Sequence, residues 1–244
     1  MDTPPGGPAS AGPHGSRTAR SAVPQPLTRN ITAAFRLASD DDRAHGFGWY
    51  ATARKLAEEL AWAEATDDGY GIYAPDWAVK QAAGVLAALS PRTSWPRNVV
   101  KARRAYELRN LTRDDFVAAM RTHGAMGDPA RKAWRILQGE DPADVVHGHK
   151  VRSFYFTIAD PTDPRAVVID RHAIDVAYGK VQTDAERGRA LGRKGAYDVV
   201  STKYRRAARI ITRELGVPWA PSQVQAVTWT YWRRERAAAY HGEA

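Results

Sequence analysis

The chain has 244 residues, of which 43% are hydrophobic and 26% charged, an ordinary composition for a globular protein and enough for one substantial domain. It contains no cysteine, which excludes disulfides, cysteine nucleophiles, thiolate zinc sites and iron–sulfur clusters. Lys and Arg number 36 against 27 Asp and Glu, a net charge of +9; such a surplus suits a polyanionic partner, most simply nucleic acid, although coding bias toward Ala and Arg produces the same excess. No apolar run approaches the ~20 residues needed to span a bilayer, and no apolar core of a signal peptide opens the chain. A cytoplasmic, nucleoid-associated location without a membrane partner is therefore expected.

Residues 1–30 carry Pro4, Pro5, Pro8, Pro13, Pro24 and Pro26 with Gly6, Gly7, Gly12 and Gly15. Few large apolar residues accompany them, so burial cannot offset the entropy of ordering, and a disordered tail is expected. Residues 31–244 read as a helical domain without internal repeats. Trp49, Tyr50, Ala53, Leu56, Leu60 and Trp62 recur at helical spacing over 43–65, and Ala78, Ala82, Val85, Leu86 and Leu89 over 75–89. Pro91 and Pro96 punctuate the next loop before a helix over 97–108. Thr112 is placed to cap a helix running to Arg121, with Asp114 and Asp115 favourable in its first turn. Asp128-Pro129 reads as the cap and first position of a helix over Ala130–Leu137, closed by Gly139. Further helices are expected at 142–146, 149–159, from about 171, at 195–214 and at 222–239. Only Ala166–Ile169 looks strand-like, and it is too short for a sheet. The class is all-α, without βαβ alternation or a glycine-rich phosphate loop.

The run His147-Gly148-His149-Lys150-Val151-Arg152-Ser153-Phe154 stands out. Gly148 permits a tight turn before a helix whose first N–H groups suit a phosphate. Lys150 falls in the first turn, where the helix dipole disfavours a cation, which suits an amine nucleophile. The helix ends near Asp160-Pro161 after ~15 Å at 1.5 Å per residue. An extended return through Val167-Val168-Ile169 covers the same distance and brings Asp170 back beside Lys150. Plainer readings exist for both: a solvated surface lysine, and an aspartate that caps the helix at 171.

Gly148-x-Lys150-Val151 followed by Val168-Ile169-Asp170-x-His172 resembles the lysine/aspartate signature of the helix–hairpin–helix superfamily of DNA glycosylases, with the two residues 20 apart. The likeness covers most of residues 80–235. Leu89-Ser90-Pro91-Arg92-Thr93-Ser94-Trp95 and Asn98-Val99-Val100-Lys101-Ala102 are similar to that family's LSxQxT…NVxKA stretch. Lys132-Ala133-Trp134-Arg135-Ile136 is similar to its KAxxI helix, and Gln225-Ala226-Val227-Thr228-Trp229 to the QAVxF helix of the 8-oxoguanine glycosylases. The family's LPGVG hairpin is replaced by Val145-Val146-His147-Gly148-His149.

The resemblance implies a two-lobed glycosylase fold with its hairpin at about 142–159. It implies a monomer that acts on double-stranded DNA containing a damaged or modified base. It assigns Lys150 as the Schiff-base nucleophile, with accompanying lyase activity at abasic sites, and Asp170 as the catalytic carboxylate that stabilises oxocarbenium character on the sugar. Were Lys150 to stay protonated, water guided by Asp170 would hydrolyse the bond instead. The extruded base needs a pocket: Gln225 would bond its edge, Trp229 would stack on its face, and Phe154, one turn after Lys150, would line the wall. Core packing is the alternative for Trp229. Arg92, Trp95, Gly148, His149 and His172 are the expected DNA contacts, with Trp95 either a wedge in the duplex or an anchor of its loop. No metal or cofactor is implied: His147, His149 and His172 could in principle bind a metal, but Asp170 is the one carboxylate that the sequence places beside them. Two other purposes fit the same residues: excision of hypermodified viral bases in antiviral defence, and a non-catalytic DNA-binding helical module. Finally, Lys203, Arg205, Arg206, Arg209, Arg213, Arg233, Arg234 and Arg236, against only Glu214 and Glu235, concentrate +6 between residues 203 and 236, for phosphate contact or as a solvated face.

Overall fold

The computed structural model describes residues 25–65, 74–192 and 194–242. Most of the span expected to be a disordered tail lies outside them. Within them the chain is all-helical, with twelve helices and no strand. In order these are α1 (Thr28–Leu37), α2 (Asp40–Ala65), α3 (Asp76–Leu89), α4 (Trp95–Glu107), α5 (Arg113–Thr122), α6 (Gly127–Leu137), α7 (Pro142–Val145), α8 (His149–Ala159), α9 (Arg171–Tyr178), α10 (Asp184–Gly192), α11 (Ala196–Leu215) and α12 (Pro221–Gly242).

Local chemistry accounts for many of these ends. The Thr112 hydroxyl accepts a hydrogen bond from the Asp115 N–H at 3.3 Å, the expected cap of α5. Asp141 caps α7 through the Ala143 N–H at 2.8 Å. Gly179 takes the left-handed conformation that closes α9. One expected start is corrected. Helix α6 begins at Gly127, with Met126 rather than Asp128 at the cap; Asp128 sits inside the first turn and pairs with Lys132 at 2.8 Å. Two helices were not among those expected. Helix α1 starts at Thr28, inside the span expected as tail, and α10 has only a weak apolar face.

Two hydrophobic cores result. The first surrounds α3, where Ala78, Val79 and every residue from Gln81 to Leu89 are buried; α2, α4, α5, α6 and α8 pack around it. The second joins α1, α9, α11 and α12, with Ile31, Ile174, Tyr204 and Ile211 fully buried. The extended stretch Ala166–Ile169 is buried against it rather than paired in a ladder. The cores meet where α2 crosses α12, over a small seam of Tyr50, Val168 and Ala226.

Candidate active site

A cavity of about 220 Å³ opens at this seam. Helix α8 contributes Lys150 and Phe154, four residues apart and so on one face. The return stretch contributes Val168 and Asp170. Helix α12 contributes Gln225, Ala226 and Trp229, again with four-residue spacing between the two functional candidates. Six residues singled out in the sequence therefore share one cavity: Lys150, Asp170, Phe154, Gln225, Trp229 and Trp95.

Asp170 is the N-cap of α9, and its carboxylate accepts the Ala173 N–H at 2.8 Å. The capping role and a place on the cavity wall thus coexist in one side chain. Lys150 is the second residue of α8 and is exposed. Trp95 is half-buried at the start of α4, with its ring 5.2 Å from Trp49 and 6.1 Å from Phe154; it forms part of the cavity wall.

Four further candidates lie off this wall. Gly148 caps α8 with a φ of +84°, a conformation that explains the glycine. His149 stacks on Tyr197 at 5.1 Å and faces another cavity. His172 is half-buried with its ring edge toward Trp229 at 6.2 Å, and its Nδ1 is buried with no partner among the described residues. Burial pushes its imidazole below the ordinary value, against the opposing pull of the Asp170 carboxylate. Arg92 is exposed at the turn before α4, with a φ of 56°.

Sequence reasoning did not assign the rest of the lining. Trp49 and Tyr50 from α2 and Ser90, Thr93 and Asn98 around the start of α4 complete it. The Tyr50 phenol donates to the Gln225 side-chain carbonyl at 3.0 Å. Burial, reinforced by the Asp170 carboxylate, raises that phenol and keeps it protonated. Asn98 donates to the Leu86 carbonyl at 2.9 Å, while its own carbonyl and the Thr93 hydroxyl are buried without partners among the described residues. Trp49 and Tyr50 were legible as periodic core aromatics; nothing in one sequence says that the α2 crossing brings them to this cavity. Among the described residues no group of three His, Asp or Glu side chains is disposed to hold a metal ion.

The basic stretch divides. Arg234 pairs with Asp42 and Glu235, Arg236 approaches Asp175 at 3.9 Å, and Arg205 donates to the Arg165 carbonyl at 3.0 Å. Arg233 lies over the Trp229 ring at 4.5 Å, at the cavity edge. Arg206, Arg209 and Arg213 are exposed, without an ion-pair partner among the described residues.

Fold and site together define an all-α protein with two cores and, between them, an aromatic-lined cavity bearing an amine and a carboxylate. The chain belongs to a family described as a family of unknown function (DUF7178), whose model matches residues 15–236. No curated protein and no solved structure matches it. No described helix is long and apolar enough to cross a membrane.

Proposed function

We propose that the protein is a DNA glycosylase of two-lobed helix–hairpin–helix type that excises a damaged or modified base, with Lys150 as nucleophile and Asp170 as catalytic carboxylate. One observation carries the reading. Lys150 and Asp170, 20 residues apart, share a cavity with Phe154, Gln225 and Trp229, the residues to which the resemblance assigns base recognition.

The chemistry follows from the wall. A base can be reached only outside the helical stack. Phe154 and Trp229 offer it aromatic surfaces and Gln225 a polar contact. The Lys150 ammonium first loses a proton to solvent water, which leaves Asp170 ionised. The amine then attacks the sugar C1′. A carbon–nitrogen bond to lysine forms, the glycosidic bond breaks, and its electron pair leaves with the base, which takes up a proton. Asp170 stabilises the positive charge on the sugar while this happens. Ring opening gives a protonated imine, and loss of a C2′ proton expels the 3′ phosphate.

The test is release of free bases, read by mass spectrometry, from oxidised, deaminated, alkylated and hypermodified DNAs, with borohydride trapping of the imine on any active substrate. Lys150→Gln should lose the trapped complex entirely. Trapping undiminished in that variant removes Lys150 from its role, and salt-sensitive DNA binding without release of any base favours a non-catalytic module.

A further inference from the structure

Behind the candidate active site lies a second cavity, of about 320 Å³, on another face of α8. Lys150 and Phe154 face the first cavity; Arg152, Ser153 and Phe156 face the second. The return stretch is shared in the same way, with Val168 and Asp170 in front and Arg165 and Val167 behind. The Tyr197 phenol closes the partition: it accepts the Ile169 N–H at 2.9 Å and donates to the Val167 carbonyl at 3.0 Å.

This second cavity is cationic. Arg152, Arg165 and Arg205 line it. Arg152 gives one N–H to the Ala143 carbonyl at 3.0 Å, and Arg205 donates to the Arg165 carbonyl at 3.0 Å and the Thr202 hydroxyl at 3.4 Å. The remaining guanidinium N–H groups of Arg152 and Arg205 have no hydrogen-bond partner among the described residues. Two carboxylates share the wall. Asp163 is engaged by the Arg165 backbone N–H at 2.7 Å and by its Nε at 3.5 Å, and Asp198 stands exposed in the first turn of α11. Ser201, on the same wall, is 1% exposed, and its hydroxyl has no hydrogen-bond partner among the described residues. Buried hydroxyls are normally paired, and the oxygen of a bound phosphoryl group would accept this one.

The arginines continue along α11. Arg205 also lines a third cavity, of about 460 Å³, together with Arg209 and Arg213. Four-residue spacing places the three on one helix face, with a rise of ~6 Å per step. Trp219 borders the far end, and its indole N–H is buried and unpartnered among the described residues.

We propose that this groove, from Arg152 through Arg205 to Arg213, holds successive phosphodiesters of a nucleic-acid strand. The proposal rests on the glycosylase reading for one point only: the strand is then the one whose base enters the first cavity, held by its flanking phosphates. Guanidinium groups suit phosphate oxygens by their forked donors, and a row of them matches a repeating anion better than a single one.

The experiment is duplex DNA binding by fluorescence anisotropy over a salt series. Replacing Arg205, Arg209 and Arg213 together by Gln should lower the slope of log K against log salt by about 2 to 3, as lost phosphate contacts do. A matched triple at exposed Arg103, Arg121 and Arg131 should leave it nearly unchanged; an equal fall in both would show that total charge alone is read, and would overturn the groove. Ser201→Ala should weaken binding by about 2- to 10-fold, and unaltered affinity would remove the second cavity from the track. Displacement of the duplex by inorganic phosphate or a mononucleotide as effectively as by competitor DNA would make this a free-anion site and overturn the strand. Base release is read separately: a slope that falls in the Arg triple of a protein that releases no base keeps the groove and discards the glycosylase reading.

Discussion

Asp170 caps a helix and, in the proposed glycosylase, serves the chemistry; substitution can separate the two. Its carboxylate caps α9 through the Ala173 N–H and also faces the cavity. Asparagine keeps a capping oxygen but no charge. Asp170→Asn should therefore melt close to the parent while losing about two orders of magnitude or more in base release. Asp170→Ala should in addition lose ~1 kcal/mol of stability with the cap, measured by thermal or urea unfolding. Its neighbour His172 sets a pH dependence. Burial depresses the imidazole in the folded chain, so the unfolded chain takes up the proton first as pH falls. Stability from this source is present above the ordinary value of ~6.5 and is lost as pH drops below it. His172→Gln should flatten the dependence of the unfolding midpoint between neutral and mildly acid pH.

At the scale of elements, α10 shows what periodicity misses. Its sequence offers little apolar face, and a buried ion pair ties it down instead. The Asp175 carboxylate is fully buried on α9 and accepts Arg187 Nη2 at 2.7 Å and Nε at 3.1 Å, besides the Gln182 N–H at 3.0 Å. Arg187→Met would leave a buried carboxylate with only the more distant Arg236 for charge, and should cost ~3 kcal/mol in urea unfolding. The 149–159 helix, by contrast, was legible to the residue, because Gly148 ends one conformation and Asp160-Pro161 ends the next. Asp128 misled because Asp-Pro is a common helix opening; here the helix starts two residues earlier, and the carboxylate pairs with Lys132 instead of the backbone.

At the scale of the whole molecule, the site depends on how closely α2 crosses α12. A Cβ at Gly46 would lie 2.4 Å from the Val227 backbone nitrogen, so the helices touch there with nothing between. Gly46→Ala should push them apart at a cost of about 1–3 kcal/mol. Because Tyr50 and Gln225 ride on those two helices, it should also weaken base release. Gly48, two residues on, meets open space. Gly48→Ala should leave stability unchanged or raise it by ~0.5–1 kcal/mol, so the pair separates crossing distance from helix propensity in one melting experiment.

The all-α class, most of the helix boundaries and the return of Asp170 to the cavity that Lys150 lines were legible from local information: caps, glycine turns, apolar periodicity, and a helix whose length matches its extended return. The tertiary structure alone decided which other side chains stand around that pair. Trp49, Tyr50, Thr93 and Asn98 reach the cavity because two cores meet along α2 and α12, and a crossing point depends on contacts between residues far apart in the chain, which periodicity along a single helix does not encode.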